Sequence, residues 1–175
     1  MRKILASIFI YVLLFPAPSF AMGSGNNFLD AQSGLTYTVY KPSNTLSMRG
    51  NVFELIDCQP GEEQWLYAKY GGTVRYVEIM QTMAGVKCSD PGVAKALRPV
   101  VINGVKAKVY VYCDPSKAAS FKKCGTTDIL RVGGYLMFTT KAGKILKGTK
   151  IQVQTMGGVT YAQLLTVAKA LKPVG

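Results

Sequence analysis

Apolar and polar residues alternate with a period of two over much of this chain, as they do in half-buried β-strands. Six segments combine this alternation with β-branched and aromatic residues and have Gly, Pro, Asn or Asp near their ends. They cover 35–40, 64–70, 73–80, 105–112, 135–140 and 149–156. Two of the connections, Gly71-Gly72 and Asn103-Gly104, can adopt positive φ, which predicts tight hairpins. The pattern therefore predicts a mostly antiparallel sheet of about six strands.

Helical signals are fewer and shorter. Asp90 is placed as an N-cap, Pro91 falls in the first turn and Pro99 acts as the stop, which predicts a short helix over 90–99. A second short helical turn is predicted over 116–122.

The clearest helical pattern is at the end of the chain. Thr160 is placed as an N-cap with Gln163 three residues later as its reciprocal partner, and Pro173 lies beyond the helix. The apolar face of this helix consists of Leu164, Val167, Ala168 and Leu171. Because only the sheet is large enough to cover that face, we expect an α+β domain in which the C-terminal helix packs on one face of a twisted sheet.

The first 21 residues have the organisation of a secretory signal peptide. Two basic residues precede a largely apolar run over 4–15, and small residues at alternate positions end it. This run is too short to cross a hydrocarbon core of ~30 Å as a helix, which takes roughly 20 residues. An uncleaved signal anchor is the alternative. We expect a signal peptide over 1–21, a flexible lead-in over 22–32 and a single domain over 33–175.

Four cysteines in an exported chain are most simply two disulfides. Of the three possible pairings we favour Cys113 with Cys124, which closes a corner after segment 105–112, and Cys58 with Cys88. No C-x-x-C motif and no histidine are present, so we predict neither a metal site nor a thioredoxin-like redox site. The expected location is extracellular or in the cell envelope, either the periplasm or the cell surface.

Charge is distributed unevenly along the chain, whose net charge is +12. Residues 22–90 are slightly acidic, whereas 91–175 contain fourteen basic residues and only Asp114 and Asp128 as acidic ones. Twelve of these fourteen are lysines, which suit a hydrated surface of low specificity better than bidentate recognition. Such a field attracts polyanions, although surface lysines also serve solubility alone. Both interpretations stay open at this point.

Eight lysines in this half of the chain form a hypothetical anion-binding surface. They are Lys106, Lys108, Lys122, Lys123, Lys141, Lys144, Lys147 and Lys150. For an exported protein the expected partners are an anionic envelope polymer or lipid headgroups, and a protein partner is also possible. Tyr110 and Tyr112 follow two of these lysines and would allow base stacking. Because a solvent-facing ladder of Lys and Tyr opposite buried valines is the commoner arrangement, nucleic acid is not the expected partner.

No catalytic constellation is found in the sequence. The absence of histidine excludes Ser-His-Asp and Cys-His hydrolysis. The segment GKILKGTK, over 143–150, approaches a phosphate-binding loop but has Thr149 and Lys150 in reverse order, so it is interpreted as a lysine-rich turn. Trp65, the only tryptophan, is interpreted as a core anchor rather than a sugar platform. We expect no cofactor.

A small envelope hydrolase is the alternative that the sequence leaves open. Ser120 and Lys123 have the S-x-x-K spacing of a Ser-Lys dyad, without the accompanying S-D-N or K-T-G motif. Paired carboxylates could also support hydrolysis. The candidates are Glu54, Asp57, Glu62, Glu63 and Glu78.

Two segments carry a family resemblance. The ending VTYAQLLTVAKAL, over 159–171, and the hairpin VVINGVKAKVYVY, over 100–112, resemble a small extracytoplasmic α+β domain of bacterial envelope proteins and of some anti-sigma-type membrane proteins. The membrane anchor and cytoplasmic part of that family are not found here. The resemblance implies a sensory or binding module, and it identifies no site residue. Together these observations predict a non-catalytic binding module with a basic surface.

Overall fold

The computed structural model describes residues 26–58, 61–86, 88 and 92–174. The predicted signal peptide, the first four residues of the predicted lead-in, and both Asp90 and Pro91 lie outside these described residues. None of the helices in the described ranges has the length and apolar character needed to span a membrane.

Within the described ranges, nine strands form two antiparallel sheets. They are β1 (Tyr40–Pro42), β2 (Gly50–Ile56), β3 (Trp65–Gly71), β4 (Tyr76–Met83), β5 (Lys95–Ile102), β6 (Val105–Val111), β7 (Gly134–Thr139), β8 (Thr149–Met156) and β9 (Leu171–Pro173). Seven of them form one sheet in the order β2-β3-β4-β8-β7-β6-β5, and β1 pairs with β9. Every strand pair in both sheets is antiparallel. The predicted α+β class is confirmed, with more strands than expected.

Four short helices complete the fold of the described residues. They are α1 (Asn27–Gln32), α2 (Ala118–Lys123), α3 (Ile129–Val132) and α4 (Tyr161–Lys169), with a single 3₁₀ turn at Thr126–Asp128. In α4 the side chain of Thr160 accepts a hydrogen bond from the Gln163 amide, and the Gln163 side chain accepts one from the Thr160 amide. The predicted capping box is therefore confirmed, and Leu164, Val167 and Ala168 are buried as expected.

Five of the six segments predicted as strands overlap β3, β4, β6, β7 and β8, with bounds that differ by up to three residues. The sixth, 35–40, contributes only Tyr40 to a strand. In this segment Tyr37 and Val39 are fully buried, and the Tyr37 hydroxyl donates to the Gln81 carbonyl at 2.9 Å. The alternation in 35–40 thus reflects a buried extended segment that makes side-chain hydrogen bonds and one isolated backbone bridge to Lys147, but no strand ladder. Strands β2, β5 and β9 were not predicted.

The helix predicted over 90–99 is wrong, because Lys95–Ile102 form β5. Proline normally interrupts a strand, since it has no N–H to donate to the ladder. Here Pro99 lies in an edge strand, where the register with β6 shifts between Leu97 and Val100. The missing donor therefore falls at an irregularity, where proline is tolerated.

The two predicted hairpins have different outcomes. Ile102 pairs with Val105, so Asn103-Gly104 is a two-residue loop, and its φ angles of 49° and 81° are those of a type I′ turn. In the other connection Gly71 pairs with Tyr76, which leaves a four-residue loop over 72–75. The hairpin exists, but the predicted two-residue length is wrong.

One face of the large sheet holds the core. Val77, Ile79, Val109, Leu136 and Ile151 pack there with α4 and with the segment around α3. A second cluster on the same face joins β3 to α1 and to segment 35–39. The expectation of a flexible lead-in is wrong for residues 27–32, because they form α1, whose Phe28 and Ala31 are buried. In the described residues, the helices and the two-stranded sheet thus lie on one side, as expected for α4.

Candidate functional site

The eight predicted lysines lie at opposite ends of the large sheet. Lys122 and Lys123 belong to α2, which ends next to Cys124. The other six lie where β6 and β8 begin and β7 ends, because β7 is antiparallel to both of its neighbours. We name these six residues the lysine end: Lys106, Lys108, Lys141, Lys144, Lys147 and Lys150.

The side chains of the eight lysines are free of carboxylate partners in the described part of the chain. Seven are exposed and Lys150 is partly buried. The ion pairs formed by described residues join Lys69 to Glu78, Lys117 to Asp114 and Arg131 to Asp128. The six lysines of the lysine end thus form no ion pair in these ranges, although Glu62 and Glu63 line a cleft together with Lys147.

Half of the lysine end belongs to the connection between β7 and β8. We name residues 141–147 of this connection the lysine loop. Its base is held firmly: the Lys147 amide donates to the Thr36 carbonyl at 2.8 Å, and the Lys147 carbonyl accepts from the Thr38 amide at 3.2 Å. The Thr140 amide donates to the Thr149 carbonyl at 2.9 Å, which closes the two strands below the loop.

The tip of the lysine loop is a tight turn. The Gly143 amide donates to the Leu146 carbonyl at 2.9 Å, a hydrogen bond that closes the loop around Lys144 and Ile145. The Ile145 side chain is 94% exposed, the largest fraction among the large apolar residues of the described ranges. Val101, whose strand partner is Lys106, is 64% exposed at the same end of the sheet. The lysine end therefore combines cations with two exposed aliphatic side chains.

The predicted alternation of β6 is confirmed. Lys106 and Lys108 are exposed, whereas Ala107, Val109 and Val111 are buried in the core. The lysines of β6 therefore project from the sheet face opposite α4. We name that opposite side the polar face.

Side chains on the polar face line up across the sheet in rows that the strand register defines. One row consists of Val52, Lys69, Glu78, Gln154, Tyr135 and Tyr110. The next consists of Glu54, Tyr67, Met80, Gln152, Met137 and Lys108. In these two rows the acidic residues Glu54 and Glu78 lie in the β2 half of the sheet, together with Lys69, whereas Lys108 lies on β6.

Glu78 is the centre of a hydrogen-bond network on the polar face. Its carboxylate accepts from the Tyr67 hydroxyl at 2.7 Å and from the Gln154 amide at 3.1 Å, and it pairs with Lys69 at 3.2 Å. Burial, reinforced by the hydrogen bond and charge of Glu78, raises the pKa of Tyr67 well above its usual range. Tyr67 therefore remains a neutral donor to the carboxylate, and the network is structural in character.

Trp65 lies on the polar face and not in the core, so its interpretation as a core anchor is wrong. It is partly exposed, and its ring contacts that of Tyr67 edge-on at 6.1 Å between centroids. Further along the neighbouring strands, the Thr82 hydroxyl and the Gln152 side-chain oxygen are buried without a hydrogen-bond partner in the described residues. The sequence did carry a signal for this face, because Trp65, Tyr67 and Lys69 alternate with the buried Leu66 and Ala68.

Both favoured disulfide pairings are present. Cys58 and Cys88 have Cα atoms 5.4 Å apart, and Cys113 and Cys124 have Cα atoms 6.5 Å apart. Glu62 lies near the first pair and Asp128 near the second, but sulfur atoms in a disulfide are not thiolate ligands for a metal. The cysteines therefore serve as crosslinks.

The corner closed by Cys113 and Cys124 is also held by Lys95. Its ammonium group donates to the carbonyls of Phe121, Lys122 and Cys124 at 2.7 to 2.8 Å. A cation at the C-terminus of a helix complements the unsatisfied carbonyls of the last turn. Lys95 is thus a structural lysine of α2, a role that its position in the sequence did not indicate.

Ser120 and Lys123, the proposed dyad, lie on α2 beside a cleft of about 560 Å³. Both side chains are exposed, and no hydrogen bond between them is formed in the described structure. Asp114 and Asp128 line the same cleft but are occupied with Lys117 and Arg131.

The candidate carboxylates do not form one cluster. Glu63 accepts hydrogen bonds from the amide and hydroxyl of Thr36, and Asp57 accepts one from the Gln64 side chain at 2.9 Å. Glu54 and Glu78 share the polar face on β2 and β4, with β3 between them. Each of these contacts has a local structural role.

Comparisons with protein-family models, curated proteins and solved structures found no match to this chain.

Proposed function

We propose that this protein is a non-catalytic binding module, secreted or retained in the cell envelope, which holds an anionic partner at its lysine end. The observation that carries this proposal is the gathering of six lysines at one end of the sheet, none of them paired with a carboxylate in the described residues. Unpaired cations close together raise the local concentration of anions and the rate at which they are captured.

The placement of the acidic residues bears on whether the lysines bind a partner or serve solubility alone. Lysines that served only solubility would be interspersed with acidic groups, because mixed charges avoid a large field of one sign. Here Asp114 and Asp128 lie near α2, away from the lysine end. Glu62 and Glu63, however, line a cleft together with Lys147. The charge separation seen along the sequence is thus only partly a separation in space.

The two disulfides are compatible with an oxidising location outside the cytoplasm. The resemblance of 100–112 and 159–171 to an extracytoplasmic envelope domain supports the same assignment. That resemblance also favours a binding module over an enzyme.

Paired substitutions test this proposal. We expect Lys141→Gln with Lys144→Gln to weaken binding both to polyglutamate and to vesicles that contain phosphatidylglycerol. Lys122→Gln with Lys123→Gln removes the same charge from exposed positions at the other end of the sheet and is the matched control. Binding of the unsubstituted protein should also weaken as salt is raised, because screening shortens the reach of the field to ~10 Å at 0.1 M.

Dissociation constants from titrations at several salt concentrations provide the measurement. Equal losses in the two double variants would show that only net charge matters and would contradict a site at the lysine end. Binding that is independent of salt, or absent for both anionic probes, would contradict the proposed function itself.

A further inference from the structure

We propose that the anionic partner is a membrane surface, on which the lysine loop docks with Ile145 entering the headgroup region and the surrounding lysines contacting lipid phosphates. This inference rests on the proposed function and identifies its partner. It depends on a feature that charge alone does not explain, the apolar side chain at the tip of a cationic loop.

Ile145 is nearly fully exposed, at 94%, although isoleucine is among the residues most often buried. A single exposed apolar residue is ordinary on a protein surface. The position of Ile145 is less ordinary, because exposed lysines lie close to it in the same loop: Lys141 four residues before it, Lys144 directly before it and Lys147 two residues after it. An apolar tip surrounded by cations matches the two layers of an anionic membrane surface, which are phosphates outside and hydrocarbon beneath.

The loop presents this tip without having to rearrange. Its base is fixed by the hydrogen bonds of Lys147 to Thr36 and Thr38, and its turn by the hydrogen bond from Gly143 to Leu146. Little conformational entropy is therefore lost when the tip is placed in a membrane surface. Lys106 and Lys108 on β6 and Val101 on β5 lie at the same end of the sheet and extend the contact.

A soluble anionic polymer would satisfy the lysines but would leave Ile145 in water. A lipid surface offers phosphates to the lysines and an apolar layer to Ile145, so the two features together favour a lipid partner. The expected binding is reversible, because a few lysines and one aliphatic side chain form a much weaker anchor than a membrane-spanning helix.

Vesicle binding of the full chain, with its disulfides intact, tests the inference. The matched variants are Ile145→Ser and Val74→Ser. Val74 is 78% exposed in the loop over 72–75 at the opposite end of the sheet, so its substitution removes a similar apolar surface from a site not expected to bind. The probes are vesicles of phosphatidylcholine alone, vesicles that also contain phosphatidylglycerol, and polyglutamate in solution.

We expect Ile145→Ser to lower the partition coefficient onto phosphatidylglycerol vesicles about tenfold, as loss of a buried aliphatic side chain implies. Val74→Ser should leave it unchanged. Neither variant should alter the affinity for polyglutamate, because that probe offers no apolar layer. Each lysine removed from the loop should lower the partition coefficient by about fivefold, and vesicles of phosphatidylcholine alone should bind weakly.

A spectroscopic readout reports the position of the tip directly. The protein has one tryptophan, so Trp65→Phe with Ile145→Trp places the only indole at residue 145. Its emission should shift to shorter wavelength on phosphatidylglycerol vesicles and not on polyglutamate.

The outcomes separate the inference from the proposed function. If Ile145→Ser binds vesicles as well as the unsubstituted protein, or the indole at 145 stays in water, the membrane inference is wrong. If polyglutamate binding still depends on Lys141 and Lys144 in that case, the proposed function stands with a soluble polyanion as partner. If neither probe binds, both proposals fail.

Discussion

Glu78 shows how a single residue sets the character of the polar face. It is 8% exposed, and three donors from the two neighbouring strands, β3 and β8, converge on its carboxylate. A buried charge is tolerated when it is both paired and hydrogen-bonded. Lys69, its ion-pair partner, also lies 3.9 Å from the centre of the Tyr76 ring, which adds a cation–π contact.

We expect Glu78→Gln to lower the free energy of unfolding by about 1–3 kcal/mol. Glutamine keeps the shape of the side chain but removes its negative charge. Its NH2 group, which is a donor, would then face donors that bind a carboxylate oxygen in the unsubstituted protein. Urea denaturation measures the change. Glu54→Gln, an exposed carboxylate on the same face, is the control and should stay within about 0.5 kcal/mol of the unsubstituted protein. Equal effects of the two substitutions would contradict the assigned network.

Lys95 and Trp65 show why single residues are hard to place from sequence. Lys95 was counted only as part of the basic half, yet its ammonium group caps α2 across 26 to 29 residues of sequence. Trp65 was assigned to the core because of its size and its apolar neighbours. Both errors have one cause: the partners of these side chains are distant in the chain, and local periodicity does not contain that information.

At the scale of the elements, the turn between β5 and β6 was the most predictable feature. Asn-Gly between two alternating segments has few other conformations available, because both residues must adopt positive φ in a two-residue loop. The capping box of α4 was predictable for the same reason, since its two hydrogen bonds lie within four residues.

The type I′ turn predicts that substitution by alanine lowers the stability of the protein at Gly104 more than at Gly72. We expect Gly104→Ala to destabilise the protein by about 1–2 kcal/mol, because φ at Gly104 is +81° and a Cβ is disfavoured there even with open space around it. Gly72→Ala is the control, since a Cβ at Gly72 also meets open space and its φ is not in the left-handed region. Midpoints of thermal or urea unfolding provide the comparison. A loss of stability at Gly72 as large as that at Gly104 would contradict the assigned turn.

Strands β2 and β5 were missed for different physical reasons. β2 is an edge strand with most of its residues exposed or partly exposed, so no regular alternation marks it. β5 contains a proline and follows apparent helix-start residues, and local signals there favour a helix. Pairing with β6 outweighs that local preference, and it becomes visible only when the sheet is assembled.

At the scale of the whole molecule, the two disulfides are expected to contribute unequally to the stability of the fold. Cys58 and Cys88 are 30 residues apart in the sequence, whereas Cys113 and Cys124 are 11 apart. A crosslink that closes a longer loop removes more conformational freedom from the unfolded chain. Cys113 and Cys124 nevertheless lie in the core, at 8% and 6% exposure, so their bridge also belongs to the packed interior.

We expect the pair Cys58→Ser with Cys88→Ser to cost about 3.5 kcal/mol through chain entropy, and the pair Cys113→Ser with Cys124→Ser about 3 kcal/mol. The second pair should lose further stability because it buries two hydroxyls in an apolar cluster. Cys113→Ala with Cys124→Ala separates the two effects, since alanine introduces no polar group. Denaturant unfolding of the three variants is the measurement. If replacing Cys113 and Cys124 by serine lowers the free energy of unfolding less than replacing them by alanine, the expected cost of burying the hydroxyls is contradicted.

The edges of the large sheet have a consequence for how molecules of this protein meet one another. At one edge Pro99 and the irregularity between Leu97 and Val100 interrupt β5, and at the other edge the register of β2 shifts between Gly50 and Val52. Proline and bulges in edge strands disfavour pairing with the strands of another molecule. We therefore expect the edges of the large sheet to be poor templates for amyloid-like stacking.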